Sequence, residues 1–92
     1  MLDFSMDKKE AYSILTEKLS GYRGQSHSEL KGLLKSPDID DVKTASGVVY
    51  QIRISALWDG EVGGALRIVG AIDDSGIRVH FPLTDDFIVA PE

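Results

Sequence analysis

Val48-Val49-Tyr50-Gln51-Ile52-Arg53-Ile54-Ser55-Ala56-Leu57-Trp58 places apolar side chains at every second position. Val48, Tyr50, Ile52, Ile54, Ala56 and Trp58 fall on one side, while Gln51, Arg53 and Ser55 punctuate the other. Side chains alternate across a strand, so this pattern describes a half-buried strand with one face on a core. The run Ala65 to Asp73 repeats it, with Leu66, Ile68, Gly70 and Ile72 against Arg67, Val69 and Ala71. A third run sets Ile77, Val79, Phe81 and Leu83 against Arg78, His80 and Pro82. Pro82 has no N–H for a ladder and marks the end of that strand or an edge.

Turn residues link these runs as antiparallel neighbours. Ala45-Ser46-Gly47 joins a short strand near Val42 to Thr44 to the long one, and Asp73-Asp74-Ser75-Gly76 reads as a tight hairpin. The loop Asp59-Gly60-Glu61-Val62-Gly63-Gly64 is longer and is expected to be the most mobile connection. Thr84-Asp85-Asp86 reads as a turn before a last short strand, Phe87-Ile88-Val89.

Upstream of the sheet the period changes to that of a helix. Ala11, Ile14, Leu15 and Leu19 share one face of a helix that starts near Met6 to Lys8, capped by Ser5 or Asp7. Gly21 is expected to end it in a left-handed conformation, with Tyr22 folding back on the last turn. Ser26 and Glu29 have the spacing of a capping box for a second, shorter helix with Leu30, Leu33 and Leu34 as its apolar stripe. His27, in its first turn, is expected to face solvent. Ser36-Pro37 ends that helix, and Asp38, Asp40 and Asp41 form an acidic linker. The chain is thus expected to be one α+β domain spanning 1–92. Two N-terminal helices, at about 6–35, pack on one face of an antiparallel β-meander of three to five strands, at about 41–90.

Composition bounds the chemistry. Hydrophobic residues are 42% and charged residues 27% of the 92, ordinary values for a globular chain. A net charge of -5 opposes general nucleic-acid binding, which draws its affinity from cationic side chains. The absence of cysteine removes disulfides, thiolate nucleophiles, thiolate zinc sites and iron–sulfur clusters. No apolar run approaches the roughly 20 residues of a membrane helix, and Met1 to Asp7 lacks the charged-then-apolar start of a secretory signal, so the cytoplasm is the expected location. The paired carboxylates Asp40-Asp41, Asp73-Asp74 and Asp85-Asp86 read as turn residues, and none sits in a calcium loop. Gly60 to Gly63 has GxxG spacing without cationic neighbours, and Gly63-Gly64 precedes no helix with a lysine. Neither holds a phosphate, and no cofactor or metal is expected.

Burying like against like sets a register, because a slip of one residue turns every apolar side chain to solvent. Trp58 then pairs with Leu66, Ser55 with Val69 and Arg53 with Ala71. On the other side of that strand Ile72 pairs with Ile77, placing Arg78 beside Ala71 and His80 beside Val69. Arg53 and Arg78 stand roughly 9 to 10 Å apart across Ala71, close enough to converge on one anion. Arg67, Gln51, Lys43 and Asp41 lie on the same face. Three readings of this face stand: a solvated outer surface, a site for an anion or acidic partner, or a homodimer contact. Trp58 is a core-edge aromatic or a partner anchor. His80 and Ser55 lack the glycine elbow and third group of a hydrolase.

Trp58-Asp59, Gly63-Gly64, Arg67-Ile68, Ile72-Asp73-Asp74 with Gly76 and Arg78, and Pro82-Leu83-Thr84 with Phe87-Ile88 resemble a family of small bacterial proteins of unknown function. The resemblance spans Val48 to Pro91. It implies a bacterial cytosolic domain and supplies no catalytic residue. The residues themselves point to a non-enzymatic binding module, monomeric or homodimeric, that presents Gln51, Arg53, Arg67, Arg78 and His80, with Trp58, Asp59 and Glu61 at the loop mouth, to an acidic protein partner or small anion. The alternative is an inhibitor or immunity-type protein that offers Asp73, Asp74, Asp85 and Asp86 on acidic loops to a basic partner.

Overall fold

The alternation of Val49–Trp58 builds the strand around which the other elements gather. The structure is a computed structural model that describes residues 8–45, 47–74 and 83–92. Four strands, β1 (Asp38–Lys43), β2 (Val49–Trp58), β3 (Leu66–Asp74) and β4 (Leu83–Val89), form an antiparallel sheet in the order β1-β2-β3-β4. They follow α1 (Lys8–Arg23), α2 (His27–Leu30) and a 3-10 turn (Lys31–Leu34). The architecture is the expected α+β one. No described helix is long and apolar enough to cross a membrane.

The β2–β3 register is the expected one, with Trp58 opposite Leu66, Ser55 opposite Val69 and Arg53 opposite Ala71. Its apolar parity makes the core: Tyr50, Ile52, Ile54, Leu66, Ile68 and Ile72 are buried in one cluster with Ala11, Leu15, Leu19, Leu30 and Leu33. The Tyr50 hydroxyl donates to Glu10 at 2.7 Å, giving a buried phenol a partner in the first turn of α1. Gly70 marks the closest approach of α1 to β3. A Cβ there would lie 2.8 Å from Leu15 Cδ1 and 3.1 Å from Leu19 Cδ2. At the other end of α1, the Arg23 guanidinium lies 4.5 Å above the Phe87 ring of β4.

Several expectations are corrected. α1 runs through Gly21 to Arg23 without a left-handed residue at Gly21, because Tyr22 and Arg23 have partners in β1 and β4 that reward another helical turn. The acidic linker is the edge strand β1: charged residues suit an edge, where they discourage pairing with other chains. Asp73 and Asp74 belong to β3, opposite Gln51 and Tyr50, and are not turn residues. Thr84, Asp85 and Asp86 belong to β4. The partner of β3 is Leu83–Val89, with Ile72 opposite Leu83, Ala71 opposite Thr84, Val69 opposite Asp86 and Ile68 opposite Phe87. This ladder starts just past Pro82 and keeps every N–H donor, whereas the expected strand from Ile77 to Leu83 would have placed that proline opposite Arg67.

The capping box and the first hairpin follow expectation. Glu29 N donates to Ser26 Oγ at 3.1 Å and Ser26 N to Glu29 Oε1 at 2.9 Å. The Ser26 backbone N–H and hydroxyl hold the Glu29 carboxyl below its usual range. At the β1–β2 turn, Gly47 takes a φ of 89° and its N–H donates to Thr44 O at 2.9 Å.

His27 is buried where a solvent-facing side chain was expected. Its Nε2 is 2.9 Å from the Gly64 carbonyl, and its ring centroid is 6.2 Å from that of Trp58. A half-buried carbonyl at the loop mouth needs a donor, and the first turn of α2 brings the imidazole to it. The loop itself is closed by Asp59 N donating to Ala65 O at 2.8 Å and Gly64 N to Glu61 O at 3.1 Å.

Candidate functional site: the outer side of the sheet

Residues directly opposite one another in a ladder project to the same face, so the register sets out the side away from the core. One row runs Asp41, Gln51, Asp73; the next Ile39, Arg53, Ala71, Thr84. Beyond them come Ser55, Val69, Asp86 and then Leu57, Arg67, Ile88. Ile39, Leu57 and Ile88 are exposed at 58%, 47% and 51%.

The two described arginines on this face differ in electrostatic state. Arg67 lies between two carboxylates: Nη1 donates to Asp86 at 2.6 Å, and Nη2 and Nε donate to the same Asp59 oxygen at 2.9 and 3.2 Å. The hydrogen bond to Asp86, followed by that to Asp59 and the charge of both, raises the pKa of the guanidinium above its ordinary value. Its charge is already matched. Arg53 is exposed and makes no ion pair among the described residues. Arg67 is four residues from Ala71 along β3, so its backbone stands about 14 Å from that of Arg53, given roughly 3.3 Å per residue and 4.8 Å per strand. The two do not converge on one small anion.

The convergent pair expected across Ala71 is replaced as well. Thr84 occupies the position opposite Ala71 and Asp86 the one opposite Val69; Arg78 and His80 lie outside the described residues. The described strand positions of this face carry Lys43, Arg53 and Arg67 against Asp41, Asp73 and Asp86, so the surface is charge-balanced and not arginine-rich. Gln51 is exposed between two carboxylate-bearing neighbours. Trp58 belongs to the core parity, half-buried against His27, while Asp59 holds Arg67 and Glu61 is exposed in the loop.

What the sequence reading passed over are the apolar members of the face. Leu57 already broke the polar parity of the quoted strand and was a visible signal. Ile39 and Ile88 gained their places only once Asp38–Lys43 and Leu83–Val89 were strands. Among the described residues no three His, Asp or Glu side chains gather as metal ligands would.

No family model matches the chain, and no curated protein or solved structure matches it.

Proposed function

We propose that this protein is a small non-enzymatic binding module, with both helices on one face of the sheet and the other face the contact surface for an acidic protein partner. The observation that carries the reading is Arg53, an exposed cation that makes no ion pair among the described residues, set in one row with exposed Ile39. An arginine fork takes a carboxylate in bidentate fashion, and arginine framed by apolar side chains is a common anchor of protein interfaces. A partner segment with a carboxylate beside apolar residues would meet Arg53 with the first and Ile39 and Leu57 with the second. A lone small anion gains less here, because Arg67 is already neutralised. The inhibitor or immunity-type reading also has weaker support: Asp73, Asp74, Asp85 and Asp86 are on strands, and Asp86 is paired.

The test is an amide chemical-shift titration of the labelled protein with a short peptide of alternating glutamate and leucine, repeated at higher salt and with Arg53→Ala. Saturable shifts at Ile39, Arg53 and Leu57 that weaken with salt and disappear in the variant are expected. Unmoved amides on this face at millimolar peptide would sink the reading.

A further inference from the structure

Away from the outer face, α1 and the inner side of β1 flank an open hollow of about 500 Å³, within the size range of ligand pockets. It exists because α1 lies against β3 and β4, and the 3-10 turn against β2, so neither covers the β1 side completely. Ile14, Val42 and Ile52 give it an apolar lining. A second hollow of about 350 Å³ opens between α1 and the 3-10 turn. Tyr22 and Gln25 line both, so the two adjoin as one groove.

The charge in the groove is one-sided. Glu17, Glu29, Asp38 and Asp40 line it, against Lys18 as the cation. Lys18 holds Asp40 at 3.1 Å, and the Tyr22 hydroxyl donates to Asp38 at 2.5 Å. The Lys18–Asp40 pair is exposed, and an exposed pair yields readily to a competing cation. An acidic rim over an apolar floor suits a ligand that is apolar in the middle and positively charged beside it.

A second observation concerns glycine. Gly21 lies within α1 and Gly32 within the 3-10 turn, places where alanine is the better helix former. Neither has positive φ, and a Cβ at either would meet nothing within 4 Å among the described residues. Neither backbone conformation nor packing inside the chain asks for glycine. Each, however, lines one of the two hollows. A missing side chain keeps a wall low and lets another backbone come close.

We propose that the groove between α1, β1 and the 3-10 turn binds an extended peptide segment of a partner protein in which an apolar side chain is flanked by lysine or arginine. The apolar side chain rests on Ile14, Val42 and Ile52, the flanking cations meet Asp38, Asp40 and Glu17, and Gly21 and Gly32 admit the peptide backbone. This site is separate from the outer face and opposite to it in charge preference.

The probe is a synthetic Lys-Leu-Lys-Leu-Lys peptide, with Glu-Leu-Glu-Leu-Glu as its counterpart, followed by calorimetry and amide shifts. The expected result is saturable binding of the basic peptide with shifts at Gly21, Tyr22, Gly32 and Val42, and none there with the acidic one. Gly21→Leu fills the first hollow from a helix position that is sterically open. It should leave the melting temperature unchanged or higher and weaken the basic peptide at least tenfold; Asp38→Asn with Asp40→Asn should weaken it as well while the outer-face titration is unaffected. Wild-type affinity in Gly21→Leu, or basic-peptide shifts confined to the Arg53 face, would overturn the proposal. Groove shifts that follow protein concentration without peptide would overturn it too, by making a second copy the occupant.

Discussion

Gly70→Ala tests the packing of α1 on the sheet at its tightest point. The added methyl would stand 2.8 Å from Leu15 Cδ1, 3.1 Å from Leu19 Cδ2 and 3.2 Å from Ile54 Cδ1. In the strand itself alanine is better than glycine by about 0.5–1 kcal/mol, because glycine loses more freedom on folding. Against that stands overpacking, which costs about 1–3 kcal/mol when neighbours must leave their rotamers. Leu15, Leu19 and Ile54 are fully buried, so three side-chain ends have to move together in a filled core, and the overpacking cost wins. The net expectation is a loss of about 1–2 kcal/mol, or roughly 5–15 °C in the melting temperature of a domain this size. Denaturant titration and thermal melting by circular dichroism measure it. Leu15→Val in the Gly70→Ala background removes the nearest methyl, so the double variant should be less destabilised than the sum of the singles by about 1 kcal/mol. If Gly70→Ala is as stable as the parent and the pair is additive, Leu15 and Leu19 do not lie over Gly70 and the layer arrangement argued here is wrong.

Two further outcomes follow from hydrogen bonds at the helix ends. Ser26→Ala removes the cap of α2 and should cost about 1 kcal/mol, read as a lower denaturation midpoint at unchanged slope; an unchanged midpoint would mean that the capping box is not formed in solution. The Tyr22 hydroxyl, partly buried and donating to Asp38, has its pKa pushed up to about 12 from the ordinary 10.0. The folded state therefore retains this proton where the unfolded chain has lost it. The stability it contributes is complete below pH 10, and falls as the pH rises towards 12. Tyrosinate absorbance should show a late-titrating component that Asp38→Asn brings down; a titration curve unchanged by Asp38→Asn would contradict the contact.

The β2–β3 hairpin was legible because two signals agreed. Trp58 and Leu66 could pair only if the loop between them closed, and the glycines at 60 and 63, with φ of 99° and 89°, supply the backbone that closure needs. The capping box was legible for a similar reason, since Ser26 and Glu29 interact at a fixed local spacing. What could not be read locally was the balance between neighbours far apart in sequence. An isolated Gly21 reads as a helix stop; only Asp38 and Phe87, distant along the chain, make continuing to Arg23 worthwhile. His27 likewise reads as a surface residue in a first turn, until the loop after β2 delivers the Gly64 carbonyl to it.

The partner of β3 shows how such a choice reaches the candidate site. Pairing from Ile77 offers an uninterrupted apolar file and a short turn, so apolar parity and turn chemistry both favour it. Pairing from Leu83 puts Asp85 opposite Gly70 and leaves ten residues between the partners Ile72 and Leu83, where Ile72 and Ile77 would have four between them. That extra length costs only about 0.6 kcal/mol per doubling. In exchange the ladder avoids proline, Asp86 reaches Arg67, and Phe87 lies under Arg23. The pair of guanidiniums expected across Ala71 dissolves with that register. Among the described residues, the face keeps Arg53 without an ion pair, in one row with exposed Ile39 and on one strand with exposed Leu57. On the proposed reading such a surface would select for a partner's shape and apolar contact first and for its carboxylate second, so a peptide carrying both is the sharper probe than a simple anion.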